Sequence, residues 1–190
     1  MNTLFPIFVK LEQLNLLLVG GGNVGLEKLS ALLRNAPKAR VTLVAEKISE
    51  EVRALAGQHA TVELLERKYQ VEDLENKQLV ILATDDPELH KAIKKQTEAK
   101  GILTNVADTP DLCDFYLGSI VQKGDLKIAI STNGKSPTLA KRLRELLTEI
   151  IPENVQDLLD NLQEFRNTLK GDFQKKVEAL NNLTKEFINR

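Results

Sequence analysis

Three glycines that follow an apolar run are the first residues whose spacing points to chemistry. Gly20, Gly22 and Gly25 match the pattern G-x-G-x-x-G, after a predicted strand and at the start of a predicted helix. The first glycine allows a sharp turn, the second lets backbone N–H groups approach a pyrophosphate, and the third lets helix and strand pack closely. Asn23 and Val24 lie in the first turn of that helix, whose N-terminus favours a diphosphate. We therefore predict a dinucleotide site here, and a tight turn that binds no cofactor is the alternative.

An acidic residue follows the second predicted strand at the distance expected for a ribose ligand. Glu46 comes just after "VTLVA", about 20 positions beyond the glycines, where a carboxylate can bind ribose hydroxyls. Because a carboxylate repels a 2′-phosphate, Glu46 favours NAD over NADP. The alternative is an acidic side chain that is merely solvated in a loop.

Small and polar residues end the fourth predicted strand, in "ILATDDPELH". Ligands of open parallel sheets lie outside the carboxyl ends of the strands, so we expect Thr84 and Asp85 to contact the cofactor. Asp85 or Asp86 could instead cap the helix that begins at Pro87. The two roles are compatible.

The loop "NVADTPDLCDF" (105–115) follows the fifth predicted strand at the same edge of the sheet. Its polar candidates are Asn105, Asp108, Asp111 and Asp114. Hydride transfer from a carbon substrate usually releases a proton as well, and a carboxylate within reach would accept it. This loop is therefore a candidate for the general base, with an acidic surface loop as the alternative.

The segment "ISTNGKSPTLAKRLRE" (130–145) combines hydroxyls and backbone amides with a helix that carries Lys141, Arg142 and Arg144. Helix N-terminal amides and cations together could bind the carboxylates of an acidic substrate. The alternative is structural: Ser136 as N-cap, Pro137 at the first helical position, and a solvated basic face.

Composition excludes several classes of protein. The net charge is −1 and charges of both signs are interspersed, so we expect no nucleic-acid or membrane partner. Cys113 is the only cysteine, which excludes a disulfide framework and a cysteine-rich metal site within one chain. Neither His59 nor His90 has a partner at metal-ligand spacing, and we expect both at the surface. Without a leader-like N-terminus or a long apolar run, the chain is expected to be cytoplasmic.

Strand and helix patterns alternate over the first part of the chain. Strands are predicted at 14–20, 40–45, 61–66, 78–84 and 102–106, and helices at 23–35, 48–58 and 86–101. This rhythm predicts an α/β fold with a right-handed, Rossmann-type parallel sheet, which we assign to an NAD-binding domain over 1–110.

The remaining chain shows a different pattern. Two strands joined at Lys123-Gly124-Asp125 predict an antiparallel β-hairpin, and Pro137 opens a helix over 137–150, so we assign 111–150 to a dimerisation hairpin and helix. The region 151–190 is predicted to be helical, with two apolar stripes on either side of Gly171. The stripes consist of Val155, Leu158, Leu159, Leu162, Phe165 and Leu169, and of Phe173, Val177, Leu180, Leu183 and Phe187. Such faces must be buried, which predicts a homodimer.

Four stretches together resemble the precorrin-2 dehydrogenase / sirohydrochlorin ferrochelatase family, the NAD-dependent module of siroheme synthesis. They are "PIFVKLEQLNLLLVGGGNVGLEKLSALL" (6–33), "ILATDD" (81–86), "NVADTPDLCDF" (105–115) and "GDLKIAISTNGKSPTLAKRLRE" (124–145). The resemblance covers residues 4–150. It implies a homodimer that oxidises precorrin-2 to sirohydrochlorin with NAD⁺ as acceptor, and in many members inserts Fe²⁺ to give siroheme.

The resemblance also implies roles for particular residues. The family's aspartate in its "N-V-x-D" motif falls on Asp108, where it implies a general base that also helps metal insertion, with no fixed metal site. The family's serine-rich loop falls on Ser131, Thr132 and Ser136. The many carboxylates of precorrin-2 make further contacts reasonable, and the candidates are Asn105, Lys135, Lys141 and Arg142.

Two other functions stay open at this point. The chain could be a dehydrogenase without chelatase activity. It could also be a non-catalytic sensor of NAD or of a tetrapyrrole, although an intact Asp108 argues against a protein that needs no base.

Overall fold

Five parallel strands form one sheet in the order β3-β2-β1-β4-β5. The computed structural model describes residues 4–168 and 173–184, so the predictions made for Leu169, Gly171 and Phe187 lie outside the described residues. The strands are β1 (Asn15–Val19), β2 (Arg40–Ala45), β3 (Val62–Glu66), β4 (Leu79–Leu82) and β5 (Leu103–Val106). This strand order is that of a doubly wound Rossmann-type sheet, which confirms the predicted fold class.

The central strand shows why the sequence has a continuous apolar run. β1 pairs with β2 on one side and with β4 on the other, and its residues 16–19 are all buried. Leu16 and Leu18 pack into the apolar cluster on one face of the sheet, and Leu17 and Val19 into the cluster on the opposite face. A strand covered on both faces needs apolar residues at every position rather than at alternate ones.

Three helices cover this sheet, and capping residues set ends of two of them. They are α1 (Asn23–Asn35), α2 (Glu50–Ala56) and α3 (Pro87–Lys100). Ser49 caps α2, because its hydroxyl accepts a hydrogen bond from Val52 N at 3.3 Å. α3 ends at Gly101, whose φ of 67° is the left-handed conformation that glycine adopts without strain.

The chain divides into two compact units, residues 1–117 and 118–190. In the second unit, β6 (Ser119–Lys123) and β7 (Leu126–Ile130) form the predicted antiparallel hairpin, with Gly124 at φ 55° in its turn. The helices α4 (Pro137–Ile150), α5 (Val155–Thr168) and α6 (Phe173–Thr184) follow. Gln156 of α5 is bonded to the hairpin turn, because its Oε1 accepts a hydrogen bond from Asp125 N at 2.7 Å. Among the described residues no helix is both long and apolar enough to cross a membrane.

Candidate functional site

Two of the three motif glycines are needed for backbone packing. Gly20 has a φ of 123°, and a Cβ built there would overlap the carbonyl of Ala83 at the end of β4. A Cβ on Gly25 would overlap the carbonyl of Gly20, so this residue lets α1 approach the end of β1. These contacts match the roles that the spacing assigns to the first and third glycines.

Gly21 is a third packing glycine, to which the sequence assigned no role. A Cβ there would lie 2.6 Å from the carbonyl oxygen of Lys47, and the Gly21 carbonyl accepts a hydrogen bond from Ser49 N at 2.9 Å. Gly21 therefore joins the glycine loop to the start of α2. The signal in the sequence was the run of three consecutive glycines, which the pattern G-x-G-x-x-G does not require.

Gly22 differs from its neighbours because space is open around it. It is the N-cap of α1 without a side-chain cap, and a Cβ there would meet no atom within 4 Å. The N–H groups of Asn23, Val24 and Gly25 lie in the first helical turn, where no intrahelical acceptor exists. They have no acceptor elsewhere in the described part of the chain. These donors and the helix dipole fit the diphosphate of a dinucleotide.

The ends of β2 and β4 lie at the same edge of this sheet. Glu46 follows β2 with a side chain that is 66% exposed, and its Oε1 lies 3.9 Å from Lys68 Nζ, so its carboxylate is accessible to a ligand. At the end of β4, Asp86 rather than Asp85 caps α3: its Oδ1 accepts from Glu88 N and Leu89 N at 3.1 and 3.0 Å. Asp85 is exposed and makes no hydrogen bond or ion pair among the described residues.

The prediction that His90 lies at the surface is wrong. His90 is only 5% exposed, because it lies on the face of α3 that packs against the sheet, and its Nε2 lies 2.8 Å from Thr84 Oγ1. Burial lowers the pKa of His90 below its usual value of 6.5. The Thr84 side chain therefore lies at the carboxyl edge of the sheet with its hydroxyl hydrogen-bonded to a buried imidazole. His59 is partly exposed, with Nδ1 3.2 Å from Pro37 O.

The three aspartates of the loop after β5 have different environments. Asp108 is exposed and adopts the left-handed conformation, φ 56°, and its carboxylate has no partner among the described residues. Asp111 is also exposed, and its carboxylate likewise has no partner in the described part of the chain. Asp114 is committed elsewhere, because its Oδ1 lies 2.6 Å from Lys94 Nζ and its Oδ2 accepts from Thr104 N at 2.8 Å. Only the first two are available as bases.

Asn105, a predicted substrate contact, is buried. Its Nδ2 donates to Phe115 O at 2.8 Å, across the base of the loop that carries Asp108. Its amide is therefore engaged in holding this loop.

In the second unit, the segment 131–136 is shaped by its own hydroxyls. Thr132 Oγ1 donates to Ser136 O and accepts from Ser136 N, both at 3.1 Å, and Ser131 Oγ accepts from Asn133 N at 3.2 Å. Ser136 caps α4 by accepting from Leu139 N at 3.1 Å. The structure thus shows the capping role of Ser136 that the sequence offered as the alternative.

The cations that follow this segment differ in their partners. Arg142 is paired with Glu145 on the same helix at 2.8 Å. Lys135 and Lys141 form no ion pair within the described residues. The two lysines are thus available to an anionic ligand.

The first unit therefore brings together donors for a diphosphate, an accessible acid for a ribose and an exposed carboxylate. All follow β1, β2 or β5 at the carboxyl edge of one sheet. Within the described residues, no cluster of His, Cys, Asp and Glu is arranged to hold a metal ion. The arrangement is suited to binding a nucleotide and to accepting a proton.

Two family models and several curated proteins match this chain. Residues 7–119 match the family model described as "Putative NAD(P)-binding", and residues 123–150 match the model described as "Sirohaem biosynthesis protein central". A siroheme synthase of Psychrobacter arcticus is 40% identical over 180 residues, which are 95% of this chain and 31% of that protein. One of Pseudoalteromonas atlantica is 41% identical over 169 residues, 89% of this chain and 36% of that protein. The chain thus spans about a third of the length of these relatives.

A solved structure shares the fold. It is titled SirC, precorrin-2 dehydrogenase, and superposes with a TM-score of 0.75 at 24% identity, covering 95% of this chain and 89% of that one.

Proposed function

The chain belongs to the NAD(P)-binding family whose model matches residues 7–119, and on this premise we propose that it oxidises precorrin-2 to sirohydrochlorin with NAD⁺. One observation carries the proposal: in the described part of the chain, the amides of residues 23–25 without acceptors share a sheet edge with the exposed, unpaired carboxylate of Asp108. The names of the matched siroheme synthases and of the structural neighbour support the choice of substrate.

In this proposal the first unit binds the oxidant and accepts the proton. The amides of the glycine loop bind the diphosphate, and Glu46 binds the ribose hydroxyls and disfavours a 2′-phosphate. NAD⁺ held by these residues would supply the hydride acceptor for oxidation of the macrocycle. Oxidation also releases one proton, and Asp108 accepts it because its carboxylate is exposed and makes no competing ion pair with the residues that the structure describes. Thr84 and Asp85, at the end of β4, contribute further cofactor contacts.

The second unit supplies candidates for binding the substrate's carboxylates. We assign this role to the cations Lys135, Lys141 and Arg142 and to the hydroxyls of Ser131 and Thr132. Lys135 and Lys141 are the stronger candidates, because Arg142 is already paired with Glu145.

A cytoplasmic homodimer and an Fe²⁺-inserting step extend the proposal. Leu139, Leu146 and Ile150 lie on one face of α4 and are 52%, 52% and 62% exposed, an apolar stripe that a second copy would bury.

For metal insertion, the unpaired carboxylate of Asp108 offers an oxygen ligand to Fe²⁺ and a base for the pyrrole protons. Adding Fe²⁺ or Co²⁺ to sirohydrochlorin separates a bifunctional enzyme from a dehydrogenase-only one.

The decisive experiment is turnover of precorrin-2 with NAD⁺, followed by the absorbance of sirohydrochlorin and of NADH. We expect Asp108→Asn to lower kcat by about 10²–10⁴-fold, the usual contribution of a general base, with NAD⁺ affinity unchanged. Asn tolerates the left-handed conformation of this position, so the variant tests the carboxylate rather than the backbone.

The same change at Asp111 separates the two candidate bases, because both side chains are exposed in one loop. If Asp111→Asn abolishes turnover and Asp108→Asn does not, the base is Asp111. If the folded wild-type protein binds NAD⁺ without oxidising precorrin-2, the dehydrogenase proposal is wrong and the sensor alternative gains support.

A further inference from the structure

The loop that carries Asp108 is closed at its base by paired contacts between residues 104–106 and 113–115, which we call the loop base. Thr104 and Asp114 are joined twice: Thr104 N donates to Asp114 Oδ2 and Asp114 N donates to Thr104 O, both at 2.8 Å. Val106 and Cys113 are also joined twice, since Sγ accepts from Val106 N and donates to Val106 O, both at 3.2 Å. The amide of Asn105 adds the bond to Phe115 O. The loop is therefore closed by one backbone bond and by bonds of the Asn105, Cys113 and Asp114 side chains.

Lys94 connects this loop base to α3. Its side chain is only 8% exposed, and Nζ lies 2.6 Å from Asp114 Oδ1 and 3.3 Å from Glu98 Oε1. Burial alone would lower the pKa of Lys94, but its interactions with Asp114 and Glu98 together outweigh burial, and the pKa is raised. A buried ammonium costs free energy unless it is paired, so the position of Asp114 is coupled to that of α3.

The backbone at Asp108 needs such support. Its φ of 56° is uncommon for a residue with a side chain, and the flanking residues are each bonded to the sheet. Ala107 N donates to Leu82 O at 2.9 Å, and Thr109 N donates to Val106 O at 3.3 Å. The carboxylate of Asp108 itself makes no bond to any other described residue. Its position therefore depends on the loop around it.

We propose that Lys94, acting through Asp114 and the loop base, is a positioning residue for Asp108. The inference rests on the proposed function, because it assigns Lys94 a role in placing that function's base. In this role Lys94 acts through Asp114, because its buried side chain is bonded to Asp114 and Glu98. Its removal leaves Asp114 without its cation, loosens the loop base and lets the carboxylate of Asp108 move away from the reacting carbon.

The test compares Lys94→Met with Lys94→Arg, which keeps a cation able to bind Asp114. Lys95→Met is the matched control, since Lys95 is the exposed neighbour on the same helix. We expect Lys94→Met to lower kcat by about 10²-fold, the usual cost of misplacing a catalytic group by about 1 Å, with NAD⁺ affinity unchanged. Lys94→Arg should recover most of kcat, and Lys95→Met should resemble the wild type.

Cys113 provides a second readout that needs no turnover. It is the only cysteine of the chain, it lies in the loop base, and burial raises the pKa of its thiol, so a disulfide reagent such as DTNB should react slowly with it. We expect the rate to rise by about tenfold in Lys94→Met and to stay at the wild-type value in Lys95→Met. Circular dichroism confirms that the variants are folded. Should Lys94→Met not fold, Asp114→Asn, which removes the charge from the other side, replaces it.

The outcomes separate the inference from the proposed function. If kcat and the thiol rate of Lys94→Met both equal those of Lys95→Met, the inference is wrong. If the thiol reacts faster while kcat is unchanged, Lys94 stabilises the loop but does not position Asp108, which also overturns it. If the wild-type protein oxidises no precorrin-2, the proposed function fails, and with it the positioning role. The thiol rates would then still establish whether Lys94 holds the loop base.

Discussion

The loops after β1 and β5 meet the same edge of the sheet but are built in opposite ways. The β1 loop is shaped by missing side chains: the backbone of Ala83, Lys47 and Gly20 comes so close that Gly20, Gly21 and Gly25 cannot carry a Cβ. The β5 loop is shaped by side chains, because Asn105, Cys113 and Asp114 form the bonds that close it.

This difference matches the chemistry that we assign to each loop. A diphosphate is bound by backbone amides, which glycine exposes and a fixed turn holds in place. A general base needs a side chain at a defined position, and here side chains of the same loop add to the backbone bonds that hold that position. The two loops thus support two tasks, binding the oxidant and accepting the proton.

The strongest test of the β1 loop is Gly20→Ala. The new methyl group would overlap the carbonyl of Ala83, and φ 123° is strained for any L-residue with a Cβ. We expect a loss of about 3 kcal/mol in the free energy of unfolding, measured by urea denaturation. A loss below about 0.5 kcal/mol would mean that the turn adjusts easily, contrary to the tight packing described above.

Gly22→Ala is the matched variant, because the Cβ there meets open space. We expect its stability to change by less than about 1 kcal/mol, the scale of an N-cap substitution. NAD⁺ affinity should fall by about tenfold or more, since the methyl group occupies the approach of the diphosphate. Displacement of fluorescent NADH, which carries the same diphosphate, by NAD⁺ measures the affinity. If Gly22→Ala binds NAD⁺ with wild-type affinity, the diphosphate does not bind at this loop.

The same contrast explains what could be predicted from the sequence. The β1 loop was predictable because its glycines are close together in the chain, in a spacing set by a strand, a turn and a helix. The strands and helices of the sheet were predicted to within a few residues for a related reason: their apolar periods and caps, such as Ser49 and Gly101, are local.

The contacts that support the β5 loop could not be predicted in this way. Lys94 and Asp114 are 20 positions apart and meet only after α3 has packed on the sheet. The burial of His90 has the same origin, because the pattern of α3 does not reveal which polar residue will face Thr84. Gly21 was missed for a different reason, since its neighbour Lys47 belongs to another element and the pattern for dinucleotide binding leaves this position free.

The end of β4 lies between the two loops. Its bond between Thr84 and His90 tests whether this end is held by side chains, as the β5 loop is, or by its backbone, as the β1 loop is. His90 holds Thr84 through a side-chain bond, as in the β5 loop, but burial lowers the pKa of the imidazole. As pH falls through 6.5, the unfolded chain gains a proton at His90 that the folded protein does not take up, so stability falls. The fall ends below the lowered pKa of the folded state, where both states are protonated.

His90→Gln should therefore remove part of the acid sensitivity of the fold. Between about pH 7.5 and 5.5 we expect the wild-type Tm to drop by about 2–4 °C more than that of the variant, which corresponds to about 1 kcal/mol in a chain of this size. His59→Gln, which replaces the other histidine, controls for the loss of an imidazole as such. If the Tm of His90→Gln runs parallel to that of the wild type across this range, the buried imidazole does not couple stability to pH. The end of β4 would then depend on its backbone, as the β1 loop does.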